Sequence, residues 1–166
     1  MINKSKQGQH KIAVLLILFS AMVVFPGTGC TKKENKELYH RFPDKSWPRF
    51  NLLSFELPVE KANTYNVYLF SRFSPDFQYE TLDFNMIMNT PSGEERINEY
   101  QLPVKLESGV FCIECNKDSC TGTILLKKEI KLTRPGTLKI EIENLTPRLI
   151  TEGILGIGIR LVQSGK

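Results

Sequence analysis

The chain has 166 residues, 22 of them Lys or Arg and 18 Asp or Glu, with a formal net charge of +4. Residues 1–29 hold Lys4, Lys6 and Lys11 and no acid, so the remaining 137 residues carry 19 basic against 18 acidic side chains. That near-neutral balance implies no basic face for nucleic acid, and the length suits one domain with a proper core rather than two.

Lys11 to Cys30 reads KIAVLLILFSAMVVFPGTGC, and its apolar run Ile12–Phe25 is 14 residues long. This length suits a signal-peptide core and falls short of the roughly 20 residues that a spanning helix needs. The small residues Gly27-Thr28-Gly29 before Cys30 are what a lipoprotein signal peptidase accepts. Cys30 is therefore expected to be the first mature residue, lipidated on its sulfur and holding the protein at a membrane through its acyl chains. An ordinary secretory leader with Cys30 as a bystander, or an uncleaved anchor, are the competing readings. Thr31, rather than Asp, follows the cysteine, and Lys32-Lys33-Glu34-Asn35-Lys36 is not an acidic export cluster. The expected location is the outer membrane, facing the periplasm. Residues 30–37 read as a solvated tether and residues 38–166 as the domain.

Leu38–Phe42 predicts a first short strand, followed by a turn-rich loop with the only tryptophan, Trp47. From Asn51 onward apolar residues alternate with polar ones, the period of a half-buried strand. Leu53, Phe55 and Leu57 share one face, as do Tyr65, Val67, Leu69, Ser71 and Phe73, then Leu82, Phe84, Met86 and Met88. Pro91-Ser92-Gly93 predicts a hairpin turn to a partner at Glu95–Leu102. Ile124, Leu126, Ile130 and Leu132 continue the alternation, interrupted at Lys128, and Leu138, Ile140 and Ile142 follow the turn Arg134-Pro135-Gly136. The last strand, Gly153–Val162, is expected to place Leu155, Ile157, Ile159 and Leu161 on one face and Gly156 and Gly158 on the other. Glycines inside a strand mark a bulge or close approach by another group. No amphipathic helix is visible. About eight short strands with half-polar alternation predict an all-β, jelly-roll-like antiparallel sandwich rather than a parallel sheet.

Three cysteines follow Cys30, all within Phe111–Cys120. In an oxidising compartment they predict a loop disulfide, Cys112–Cys120 or Cys115–Cys120, with one thiol left over. A redox pair at Cys112 and Cys115 lacks the helix start that lowers a thiol pKa. Structural zinc lacks a fourth ligand, His40 being some 70 residues away. His40, the only histidine after the leader, has no nucleophile motif to serve and reads as a rim residue. Glu94 and Glu95 beside Arg96 read as a solvated turn rather than paired glycosidase carboxylates. No cofactor, metal or catalytic activity is expected. Most aromatics read as packing; Trp47, Tyr68 and Phe70 are the candidates for a partner or ligand surface.

The order of features resembles the GldH-type gliding-motility lipoproteins of Bacteroidetes. It runs from the lipidated cysteine through Tyr39, Trp47, Phe55, Tyr65-Asn66-Val67, Arg72, Tyr79 before Leu82, and Pro91-Ser92-Gly93. Arg134-Pro135-Gly136, Gly153-Ile154 and Gly156-Ile157-Gly158 complete it. Glu80-Thr81-Leu82 and the cysteine loop depart from the family pattern. The resemblance implies a lipid-anchored accessory envelope protein, acting through contacts with other proteins and without enzymatic activity. A carbohydrate-binding lipoprotein using exposed aromatics is the alternative.

Overall fold

Alternating β-branched, aromatic and leucine residues between Pro, Gly and Asn turns fold into strands throughout. A computed structural model describes residues 35–164. Cys30, the leader and most of the expected tether lie outside the described residues. The strands are β1 (Asn35–Arg41), β2 (Ser46–Pro48), β3 (Leu53–Val59), β4 (Asn63–Phe73), β5 (Thr81–Asn89) and β6 (Glu95–Pro103). After these come β7 (Glu114–Cys115), β8 (Cys120–Leu132), β9 (Gly136–Asn144), β10 (Ile150–Glu152) and β11 (Ile154–Gln163).

One sheet runs β1-β11-β4-β8-β7, a second β3-β9-β5-β6, and a two-stranded piece pairs β10 with β2, every pair antiparallel. β2, β7 and β10 are only two or three residues long. The eight longer strands pair first with last, second with seventh, third with sixth and fourth with fifth. That is one long hairpin rolled into two Greek keys, a jelly roll. The expected sandwich is therefore present, with three short strands beyond the eight expected.

The inward residues of both sheets form one core: Leu53, Phe55 and Leu57 of β3, Leu82, Phe84, Met86 and Met88 of β5, and Leu138, Ile140 and Ile142 of β9 face Tyr65, Val67, Leu69 and Phe73 of β4 with Ile157, Ile159 and Leu161 of β11. Both open sides are stitched by polar bonds. Lys36 Nζ donates to the Pro58 carbonyl at 2.7 Å between β1 and β3. Tyr100 Oη donates to the Leu126 carbonyl at 2.5 Å, and Lys127 Nζ to Asn98 Oδ1 at 2.6 Å, between β6 and β8.

Three details differ from expectation. β1 starts at Asn35, so Asn35–Glu37 pair with β11 instead of belonging to the tether. The interruption near Lys128 is a double bulge: the register shifts between Tyr65 and Val67 and again between Val67 and Tyr68. Glu129 takes a left-handed φ of 50° there, its N–H donating to Asn66 Oδ1 at 2.8 Å. Two extra residues on β8 restore the original facing, so Leu126, Ile130 and Leu132 all remain buried. A further shift between Ile154 and Gly156 turns Leu155 out of the row of Ile157, Ile159 and Leu161, and Ile154 takes the buried place.

The domain has two distinct ends. Asn35 pairs with Val162, and Ser164 N–H donates to Thr64 O at 2.8 Å, so the chain enters and leaves at one end. At the other, β2 and β10 close over the core. There Trp47 Nε1 donates to Asn51 O at 2.8 Å, and Asn144 Nδ2 donates to Trp47 O and Thr151 Oγ1.

Candidate functional site

The outer face of the five-stranded sheet gathers the most distinctive side chains in the domain. Its register sets three adjacent rows across β1, β11 and β4: Glu37–Arg160–Tyr68, Tyr39–Gly158–Phe70 and Arg41–Gly156–Arg72. On β8 these rows continue into Leu125, Thr123 and Thr121. Residues directly opposite share a face, so the glycines form a floor between aromatic and arginine neighbours.

That floor has a steric purpose. A Cβ at Gly158 would collide with the Phe70 ring and lie 2.8 Å from the Leu38 carbonyl oxygen. One at Gly156 would collide with the Tyr39 hydroxyl and lie 2.5 Å from the His40 carbonyl oxygen. With both side chains absent, the Tyr39 and Phe70 rings stack at 5.8 Å with planes 9° apart. Stacked rings add to simple area burial. Phe70 is left only 7% exposed, although it points away from the core.

Arginines surround this aromatic pair. Arg160 lies over the Phe70 ring at 5.1 Å, and its Nε donates to Glu37 Oε2 at 2.6 Å. Arg72 Nη2 donates to Ser119 Oγ at 2.9 Å, tying the face to the cysteine loop. The Tyr39 ring reaches over Gly156, between the positions of Arg41 and Arg72. Burial raises the Tyr39 hydroxyl above the usual tyrosine value, against a downward pull from Arg72 and Arg41. A hydroxyl donor beside two guanidinium groups suits a carboxylate, which accepts from all three.

The three aromatics expected to form a surface are not brought together. Trp47 is fully buried, its indole N–H satisfied and its ring stacked on Phe42 at 6.0 Å. It cannot present a binding face; β2 turns it inward as a plug beneath the core's end. Phe70 lies on the outer face, covered by Tyr39 and Arg160. Tyr68 shares that face in the next row, partly exposed. Sequence reasoning did not assign Tyr39, Arg41, Arg72 or Arg160 to a surface. The signal for them was Gly156-Ile157-Gly158, a strand segment that demands covering neighbours.

Cys115 and Cys120 are disulfide-bonded and directly opposite each other on β7 and β8, while Cys112 is an exposed free thiol. Asn116 Oδ1 accepts from the N–H groups of Asp118 and Ser119, each at 2.9 Å, so the intervening turn is tight. His40 is exposed, edge-on to Phe42 at 5.0 Å. Glu94 pairs with Arg96 at 2.8 Å on the hairpin turn. A polar cleft beside the Trp47 end is lined by Asp44, Asp76 and Glu152 together with Lys45 and Tyr79. Among the described residues no group of three or more His, Cys, Asp or Glu is arranged to hold a metal ion.

A search of the curated proteins finds no match to the chain. The model of the GldH lipoprotein family matches residues 34–161, a span that covers Tyr39, Arg72, Gly156 and Gly158 together with almost every strand, and the chain belongs to that family.

Proposed function

We propose that this protein is a non-enzymatic lipoprotein, anchored through Cys30 in the outer membrane and facing the periplasm, that serves as an accessory component of gliding motility in a Bacteroidetes cell. It acts by contact: the outer sheet face around Tyr39 docks an acidic segment of another envelope protein. The observation that carries this reading is the Tyr39–Phe70 stack on its glycine floor, with Arg41 and Arg72 opposite each other across Gly156. Arginine and tyrosine are the residue types in which binding energy concentrates. Family membership supports the lipoprotein part.

Purifying the tagged, membrane-anchored protein from its own cells tests the reading, with mass spectrometry of what accompanies it. Motility or secretion components of the envelope are the expected companions. Glycan-uptake proteins would favour the carbohydrate-binding alternative instead. That alternative now rests on Tyr39 and Tyr68, because Trp47 has no open ring face and Phe70 almost none. Turnover of a substrate by the purified protein would contradict the proposal.

A further inference from the structure

The end of the sandwich that carries β2 and β10 holds another cleft beside the one lined by Asp44, Asp76 and Glu152. It lies between the segment leading into β5 and the segment leaving β9, where Tyr79, Glu80, Asp83, Thr146, Pro147 and Arg148 line it. The two clefts share Gln78 and Tyr79, and their volumes are about 390 and 370 Å³. Each falls within the ~300–1,000 Å³ of small-molecule sites.

Hydrogen bonds fix the walls of this cleft. The Glu80 carbonyl accepts from the N–H groups of Val104 and Lys105 at 2.7 and 3.0 Å, and Leu145 N–H donates to the Asp83 carbonyl at 3.0 Å. Thr146 N–H donates to Asn144 Oδ1 at 2.9 Å, and Asn144 is itself held by Trp47 and Thr151. One group is left over. Thr146 is only 5% exposed, yet its Oγ1 has no hydrogen-bond partner among the described residues. A buried hydroxyl without a partner is costly and calls for an explanation. Because Thr146 lines the cleft, a turn about its Cα–Cβ bond between staggered positions can point the hydroxyl into it.

The lining narrows what can supply that partner. Asp83 Oδ1 accepts from Gln101 Nε2 at 2.9 Å, and Arg148 lies over the Tyr79 ring at 5.6 Å. None of Glu80, Asp83 and Arg148 is ion-paired among the described residues, so free acceptors and free donors stand in one cleft. An anion would face Glu80 and Asp83. Counting Lys45, the two clefts together hold five carboxylates against two cations, which disfavours any ligand with a carboxylate of its own. A cation would face the unpaired Arg148. A neutral, hydroxyl-rich ligand meets neither conflict, because each hydroxyl both donates and accepts.

We infer that this cleft binds a neutral sugar, whose hydroxyls donate to Glu80 and Asp83, accept from Arg148 and pair with Thr146. The site is separate from the outer sheet face and does not depend on the docking proposed there.

A printed array of neutral, uronic-acid and amine-bearing oligosaccharides tests it, probed with the full chain extracted from membranes in detergent. Binding to neutral oligosaccharides is expected. Thr146→Val should weaken it about tenfold, the ~1.4 kcal/mol of one lost hydrogen bond, without lowering the denaturation midpoint. Glu80→Ala, at an exposed position, should weaken it by a similar factor. A Tyr39→Ser, Tyr68→Ser variant should bind as wild type does, which separates this cleft from sugar contact on the outer face. An array without signal, signal confined to uronic-acid or amine-bearing sugars, or binding that survives Thr146→Val would each overturn the inference. A lower midpoint in Thr146→Val would also overturn it, by assigning the hydroxyl to the fold. None of these outcomes alters the co-purification test of the outer face.

Discussion

At the residue scale, the domain depends on a few positions where a single atom decides the packing. Gly158 is one, since a methyl group there meets the Phe70 ring and the Leu38 backbone. Gly158→Ala should destabilise the fold by about 1–3 kcal/mol, the usual penalty of overpacking, seen as a lower denaturation midpoint with an unchanged slope. Trp47→Ala should cost about 3–5 kcal/mol, because it empties a fully buried site. A variant that keeps its stability but loses a ligand would instead restore Trp47 to a binding surface. The Tyr39 hydroxyl gives a pH test whose sign follows from its raised pKa. A raised value means that the folded state holds the proton more tightly than the unfolded chain. The neutral hydroxyl's contribution is thus complete below the unfolded tyrosine value near ~10 and is lost as pH rises through the native one. Chemical denaturation across that window should show a smaller alkaline loss of stability in Tyr39→Phe than in wild type.

At the element scale, the two sheets are joined along one open side by Tyr100, whose hydroxyl donates to the carbonyl of Leu126. Tyr100→Phe should lower stability by about 1 kcal/mol, the net worth of one such bond. The small β7 hairpin is held by Cys115–Cys120. A non-reduced digest should yield the cystine peptide joining these two residues, with Cys112 alkylated. Reduction should cost no more than about 2 kcal/mol, since the closed loop is short and peripheral. Period-two alternation made most of this architecture legible beforehand: the inward faces of β3 and β5 follow the apolar residues, and those of β4 and β9 do so apart from the buried Ser71 and Asn144. What remained hidden arose from tertiary pairing. The double bulge in β8 depends on Asn66 of the neighbouring strand capturing Glu129 N–H. β2 and β10 are too short to carry a period and exist only because they pair with each other. The outer face was hidden for the same reason. Tyr39, Phe70 and Arg72 are far apart in sequence, and only the register of β1, β11 and β4 sets them side by side.

At the scale of the whole domain, the jelly roll places Asn35 and Ser164 at one end, an arginine-framed aromatic patch along one face, and exposed apolar residues at the far end. Such a body suits a tethered docking module, with contacts available along its length. The outer face is the proposed docking surface, and altering it leaves the core alone, since Tyr39 and Arg72 are both exposed. The most direct measurement is quantitative co-purification from native membranes, comparing the anchored wild type with a Tyr39→Ser, Arg72→Glu variant. The variant should reach the membrane in equal amount and stay folded despite a stability loss of about 2–3 kcal/mol from the lost ring stack and arginine hydrogen bond, yet lose its envelope companion by tenfold or more. Undiminished co-purification by that variant would contradict the account.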